Sequence, residues 1–149
     1  MATDNYPSEE GYICDGNVIG FCKCQAAVEF LEVVYIHGTN VAGYISVAPA
    51  AADGDGIAVA LKEGAAGDYI PVCFFGIVKM YAGAAMVPND AVINDSLGTY
   101  VLPIPTYTHD EFVAWRGYDQ DGSQCVLGTC LGHAAASGDE VLILVGRVI

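Results

Sequence analysis

Basic side chains are scarce in this sequence. Lys23, Lys62, Lys79, Arg116 and Arg147 stand alone against 18 Asp and Glu, giving a formal net charge of −13 over 149 residues. Nucleic-acid recognition neutralises phosphates with clustered Lys and Arg, so that class is excluded. Docking on an anionic membrane surface fails on the same ground. A basic-then-apolar secretory leader is missing too, because the N-terminus reads MATDNYPSEEGY. The longest uncharged stretch, Val33 to Ala52, has the length of a membrane span, but His37, Gly38, Thr39, Asn40, Gly43 and Pro49 interrupt it. No nucleic acid and no membrane is expected as a partner, and synthesis in a cytoplasm is the simplest expectation.

Chemical motifs are equally sparse. The histidines are His37, His109 and His133, with no G-x-S-x-G elbow and no H-E-x-x-H among them. His109-Asp110-Glu111 follows Pro103 and Pro105 and reads as a solvated loop before it reads as an acid–base site. Cys14, Cys22, Cys24, Cys73, Cys125 and Cys130 show no C-x2-C pair, so free thiols are favoured over disulfides and zinc. Cys73, inside an apolar run, reads as core. Two D-x-D-G strings, Asp53-Gly54-Asp55-Gly56 and Asp119-Gln120-Asp121-Gly122, lack the further ligands of a calcium loop and equally suit hairpin turns. Neither catalysis nor a cofactor or metal is expected.

What the chain has is apolar content, 54% of its residues, enough for one domain with a real core. Residues 1–12 are polar and read as an extended arm. Ala26, Ala27, Phe30, Leu31 and Val34 allow a short helix, but the β-branched and aromatic run Val33–Ile36 favours strand. Beyond Val41, the runs YISVA, IAVAL, YIPVCFFGIVKM, TYVLP, CVLGTCLG and EVLILVGRVI alternate with Gly, Asp, Asn and Pro clusters. That is the pattern of an all-β fold, an antiparallel β-barrel or sandwich with an extended N-terminal arm. The division expected is 1–40 for the arm and first strand or strands, and 41–149 for the body. Pro71, inside a strand, calls for an edge or a bulge.

One stretch occurs twice. GDYIPVCFFG (67–76) and GDEVLILVG (138–146) both follow small residues, open on Gly-Asp and alternate apolar side chains. A phosphate loop would lead into a helix. Here a strand follows both times, so Gly67, Asp68, Gly138 and Asp139 read as structural turn residues. Aromatic residues in arm and loop segments supply the candidate interface: Tyr6, Tyr12, Phe21, Tyr107, Phe112, Trp115 and Tyr118, with Tyr81 beside them. Closing the ends of a barrel is the alternative role for these rings.

The segment GIAVALKEGAAGDYIPVCFFGIVKMYAGAAMVPNDAV resembles the small capsid decoration, or cement, proteins of tailed bacteriophages. The matching parts are an Ala60-Leu61 strand, a turn from Ala65 to Asp68, a strand from Tyr69 to Val78 and an Ala/Gly segment from Ala82 to Asp90. LGTCLGHAAASGDEVLILVGRVI fits the closing strands, whereas residues 1–40 and 104–124 have no counterpart. The resemblance implies a homotrimer on the outer face of an icosahedral head, bound between capsomers to the major capsid protein and stabilising the shell. A receptor- or glycan-binding module of a fibre or cell surface is the competing expectation.

Overall fold

A computed structural model describes residues 18–37, 44–51, 54, 56–104 and 126–146. Those residues form nine strands and no helix: β1 (Val18–Cys24), β2 (Val33–Ile36), β3 (Ile45–Pro49), β4 (Ala58–Ala60), β5 (Tyr69–Tyr81), β6 (Ala91–Asn94), β7 (Val101–Pro103), β8 (Gly128–Cys130) and β9 (Glu140–Val145). The fold is all-β. Val33–Ile36 is strand, as its β-branched content requires, and both β1 and β2 come from the first forty residues. The arm, residues 1–17, lies outside the described residues.

Strand β1 pairs with β3 in parallel and with β5 antiparallel, while β2 joins β3 to β4 and β4 pairs with β5. The path returns to its start, giving a closed five-stranded barrel. Closure removes the open edges that invite mispairing. The second half of β5 then begins the same circuit again. It pairs antiparallel with β9, β9 with β8, β8 with β6, and β6 with β7. A single parallel bridge from Ala82 to Val101 brings β7 back to the end of β5.

The two rings correspond strand for strand and register for register. Cys22 opposes Ile70 in the first, and Met80 opposes Val141 in the second. Val34 meets Pro49 and Ala58; Val92 meets Pro103 and Gly128. The isolated bridge Val28–Gly64 has its counterpart in Met86–Ala134. Even the exceptions repeat. Leu31 and Asn89, the described non-glycine residues with positive φ (64° and 77°), donate their N–H groups to the equivalent carbonyls of Ala60 and Cys130. The twice-used Gly-Asp turn is thus one part of a complete internal repeat.

Each ring is filled by inward side chains at matching positions, as the period-2 geometry of a small barrel demands. Cys22, Cys24, Val28, Val34, Val47, Ile70 and Val72 pack the first ring. Met80, Ala82, Met86, Val92, Val101, Val141 and Ile143 pack the second. Val33, Ala50, Val59, Leu61 and Cys73, on the outer wall of the first ring, belong to the second cluster, so the second ring packs against the first. Polar contacts fix the join. Buried Asn94 accepts from the Gly56 N–H at 2.7 Å through Oδ1 and donates to the Asp95 carbonyl at 2.7 Å. The Gly98 carbonyl accepts from the Val33 N–H at 2.8 Å.

Pro71 sits opposite Phe21 on β1, and its carbonyl accepts from Leu61 just past the end of β4. Its missing donor therefore falls where the β4 ladder stops. The bulge in the β1–β5 ladder lies elsewhere, between Val18 and Ile19.

Side-chain volume is exchanged between the rings. Where the second uses Val78 and Val145, the first has Gly20 and Phe74, and a Cβ on Gly20 would lie 3.1 Å from the Phe74 ring. Gly20→Val is expected to overpack the first ring and destabilise the fold by about 1–3 kcal/mol. Adding Phe74→Val should recover most of that loss, as read by denaturant unfolding of both single variants and the double. Thr129, the counterpart of Val59, carries a buried hydroxyl with no hydrogen-bond partner. Thr129→Val should raise stability by about 1 kcal/mol, measured the same way.

Candidate functional site

The repeated turns are built by backbone geometry. Gly67 and Gly138 have φ of 92° and 93°, the left-handed region that a Cβ disfavours. The Gly67 N–H donates to the Cys24 carbonyl, and the Gly138 N–H donates to the Ala82 carbonyl. Asp68 Oδ2 accepts from the Ala65 N–H at 2.9 Å, while Asp139 Oδ2 accepts from Ala135 and Ala136 at 2.9 and 3.1 Å. Both carboxylates thus cap the loops that launch β5 and β9. Near the first turn, Glu29, Glu63 and Asp68 border an open depression floored by Val28 and Gly64. Among the described residues, no group of three or more His, Cys, Asp or Glu is disposed to hold a metal ion.

The four described cysteines, Cys22, Cys24, Cys73 and Cys130, are buried. Burial, followed by the nearby Cys24 thiol, pushes Cys22 up to about 11. Burial also raises Cys24, with Asp68 adding to it. For Cys130, burial outweighs the opposing hydrogen bond from the Gly132 backbone, and Asp90 adds to the rise. All three remain protonated at neutral pH, whereas a nucleophile or metal ligand must be a thiolate. Burial likewise raises the Glu32 carboxyl, assisted by Glu29 and opposed by the hydrogen bond from the Glu29 backbone.

The feature that stands out is a surface. Phe21 and Lys23 point outward from β1, and the ladder places them opposite Pro71 and Tyr69 of β5. Tyr44, just before β3, completes the group, its ring edge-to-face with that of Tyr69 at 4.7 Å between centroids. Phe21 is 66% exposed, Tyr69 50% and Tyr44 44%. Aromatic side chains this exposed, lying together on one barrel wall, form an interaction face before they form anything catalytic.

Of the residues singled out in the sequence as interface candidates, Phe21 lies at the centre of this face. Tyr6, Tyr12, Tyr107, Phe112, Trp115 and Tyr118 lie outside the described residues, as do His109, Cys14, Cys125 and the second D-x-D-G string. Tyr44 and Tyr69 were not among those candidates. The signal for them is the alternation of β5, which sets Tyr69 on the face opposite buried Ile70, but their meeting depends on ring closure.

The fold is similar to the crystal structure of the N base of the head fiber gp8.5 of bacteriophage phi29. The TM-score is 0.56 at 17% sequence identity, covering 87% of this chain and 93% of that one. No protein-family model matches the chain, and no curated protein does. The similarity is one of architecture, and it spans both rings, since a single ring could not cover that share of the chain.

Reactivity tests the buried thiols directly. In a Cys14→Ser/Cys125→Ser variant, the four remaining cysteines should resist an aromatic disulfide reagent at neutral pH and react fully only in denaturant. Rapid reaction of any of them in the native protein would contradict the burial described.

Proposed function

We propose that this chain is a structural protein of a bacteriophage head, displayed in several copies on its outer surface. The observation that carries this reading is the two-ring fold, similar over nearly its whole length to a head fiber base. The decoration-protein resemblance of the Gly56–Asp90 segment supports the same class from the sequence side. In this reading the chain acts by burying surface against copies of itself and against the major capsid protein, seated where capsomers meet, and so strengthens the shell. A homotrimer suits that position. It is not an enzyme, and its work is interface formation. A stable contact of this kind buries about 1,200–2,000 Å² in total.

The aromatic face gives a glycan-binding module one specific observation in its favour, because sugar rings stack on exposed Tyr. A glycan array separates the two readings: head attachment expects no saturable glycan binding by the isolated protein.

The direct experiment is to incubate the protein with purified heads lacking it and sediment them. Co-sedimentation at a fixed ratio to the major shell protein is expected, and heads that remain bare would overturn the proposal. The net charge of −13 makes copies repel one another. Added salt shortens the reach of that repulsion to within about 8–10 Å at ordinary ionic strength. Occupancy should therefore rise with salt or divalent cations. A steady fall with salt would place ion pairs, not buried apolar surface, in control of attachment.

A further inference from the structure

We infer that the aromatic face of the first ring, centred on Phe21 and Tyr69, is the surface through which copies of this chain associate. The internal repeat supplies the comparison. At the positions equivalent to Phe21 and Tyr69, the second ring carries Lys79 and Glu140, which form a solvent-exposed ion pair at 3.7 Å. The same wall of the same barrel therefore accepts a solvent-exposed ion pair with no change of fold. The two large rings of the first copy of that wall are not required by barrel packing, and the interior side chains behind them, Cys22 and Ile70, are already buried.

Charge selects the occupant. Among the described residues, the ladder positions of this face, Phe21, Lys23, Pro71 and Tyr69, hold no acidic side chain, and Lys23, one of the chain's five basic residues, lies between β3 and Tyr69. The nearest carboxylate by sequence, Asp68, is turned back into its own loop by the Ala65 N–H. A second acidic copy can approach here with the least like-charge repulsion, and Lys23 of one protomer then faces the acidic surface of its partner. The second ring's described residues carry a single exposed aromatic on this wall, Tyr81 at the position of Lys23, so the Phe21–Tyr69–Tyr44 group belongs to one ring and gives the contact a direction. A face that meets a different surface of its neighbour produces a closed cyclic oligomer when the rotation closes.

This inference rests on the reading of the chain as a multi-copy virion protein, but its test needs no virion. The test is mass in solution by light scattering and sedimentation velocity on the full chain. The key variant is Phe21→Lys/Tyr69→Glu, which transplants the pair the second ring already tolerates. Wild type is expected as an oligomer, and the double variant as a monomer with an unchanged far-UV spectrum. Tyr44→Lys, a single change at the rim of the face, is the second variant and should weaken association at least tenfold. Leu97→Glu, exposed on a loop of the second ring, should leave the mass unchanged. A monomeric wild type overturns the inference, as does a double variant that keeps the wild-type mass or a Leu97 variant that dissociates equally. A protein that forms the expected oligomer yet leaves heads bare would keep this inference and overturn the head-surface reading instead.

Discussion

One strand is common to both rings, and the rest of the structure is arranged around it. β5 runs through 13 residues, Tyr69 to Tyr81. Its first half closes the ring of β1 to β4, and its second half opens the ring of β6 to β9. Because side chains alternate across a strand, the pairing register of β5 decides which of its residues face each interior. Ile70 and Val72 fill the first ring, while Val78 and Met80 fill the second. Cys73, on the outward side of the first ring, is buried because the second ring lies against it. A shift of one residue in β5 would therefore disorganise both cores together.

The chemistry of the chain follows from that construction. Among the described acidic side chains, Asp68, Asp90 and Asp139 cap turns by accepting backbone N–H groups, and Glu32 is partly buried. The described thiols are buried, Cys22 and Cys24 inside the first ring and Cys73 between the two rings, and burial raises the pKa of Cys22, Cys24 and Cys130. Polar groups in the join between the rings, Asn94 above all, are spent on backbone partners. What is left open is surface, and the surface is uneven. One ring shows a solvated Lys–Glu pair where the other shows Phe and Tyr.

The comparison between the rings separates what the fold requires from what it permits. Positions that repeat in kind, such as the positive-φ pair Leu31 and Asn89 or the Gly-Asp turns, serve backbone geometry. Positions that diverge in a compensated way, Gly20 with Phe74 against Val78 with Val145, serve packing at constant volume. Positions that diverge without any packing reason, Phe21 and Tyr69 against Lys79 and Glu140, are where a difference in role is written.

The sequence by itself determined the class of the fold, because short apolar runs between Gly, Asp and Asn clusters admit strands and little else. It also marked the Gly67-Asp68 and Gly138-Asp139 turns, since left-handed backbone and an Asx cap are local properties of adjacent residues. It allowed for a first strand or strands within residues 1–40 but did not locate β1, where Gly20 and Lys23 break the apolar run. It also hid the extent of the repeat, because side-chain identity has drifted while backbone pairing has not. Only the tertiary structure decided that Tyr44 and Tyr69 stand beside Phe21. Those residues are far apart along the chain, and closure of a ring, a long-range event that no local pattern encodes, is what brings them together.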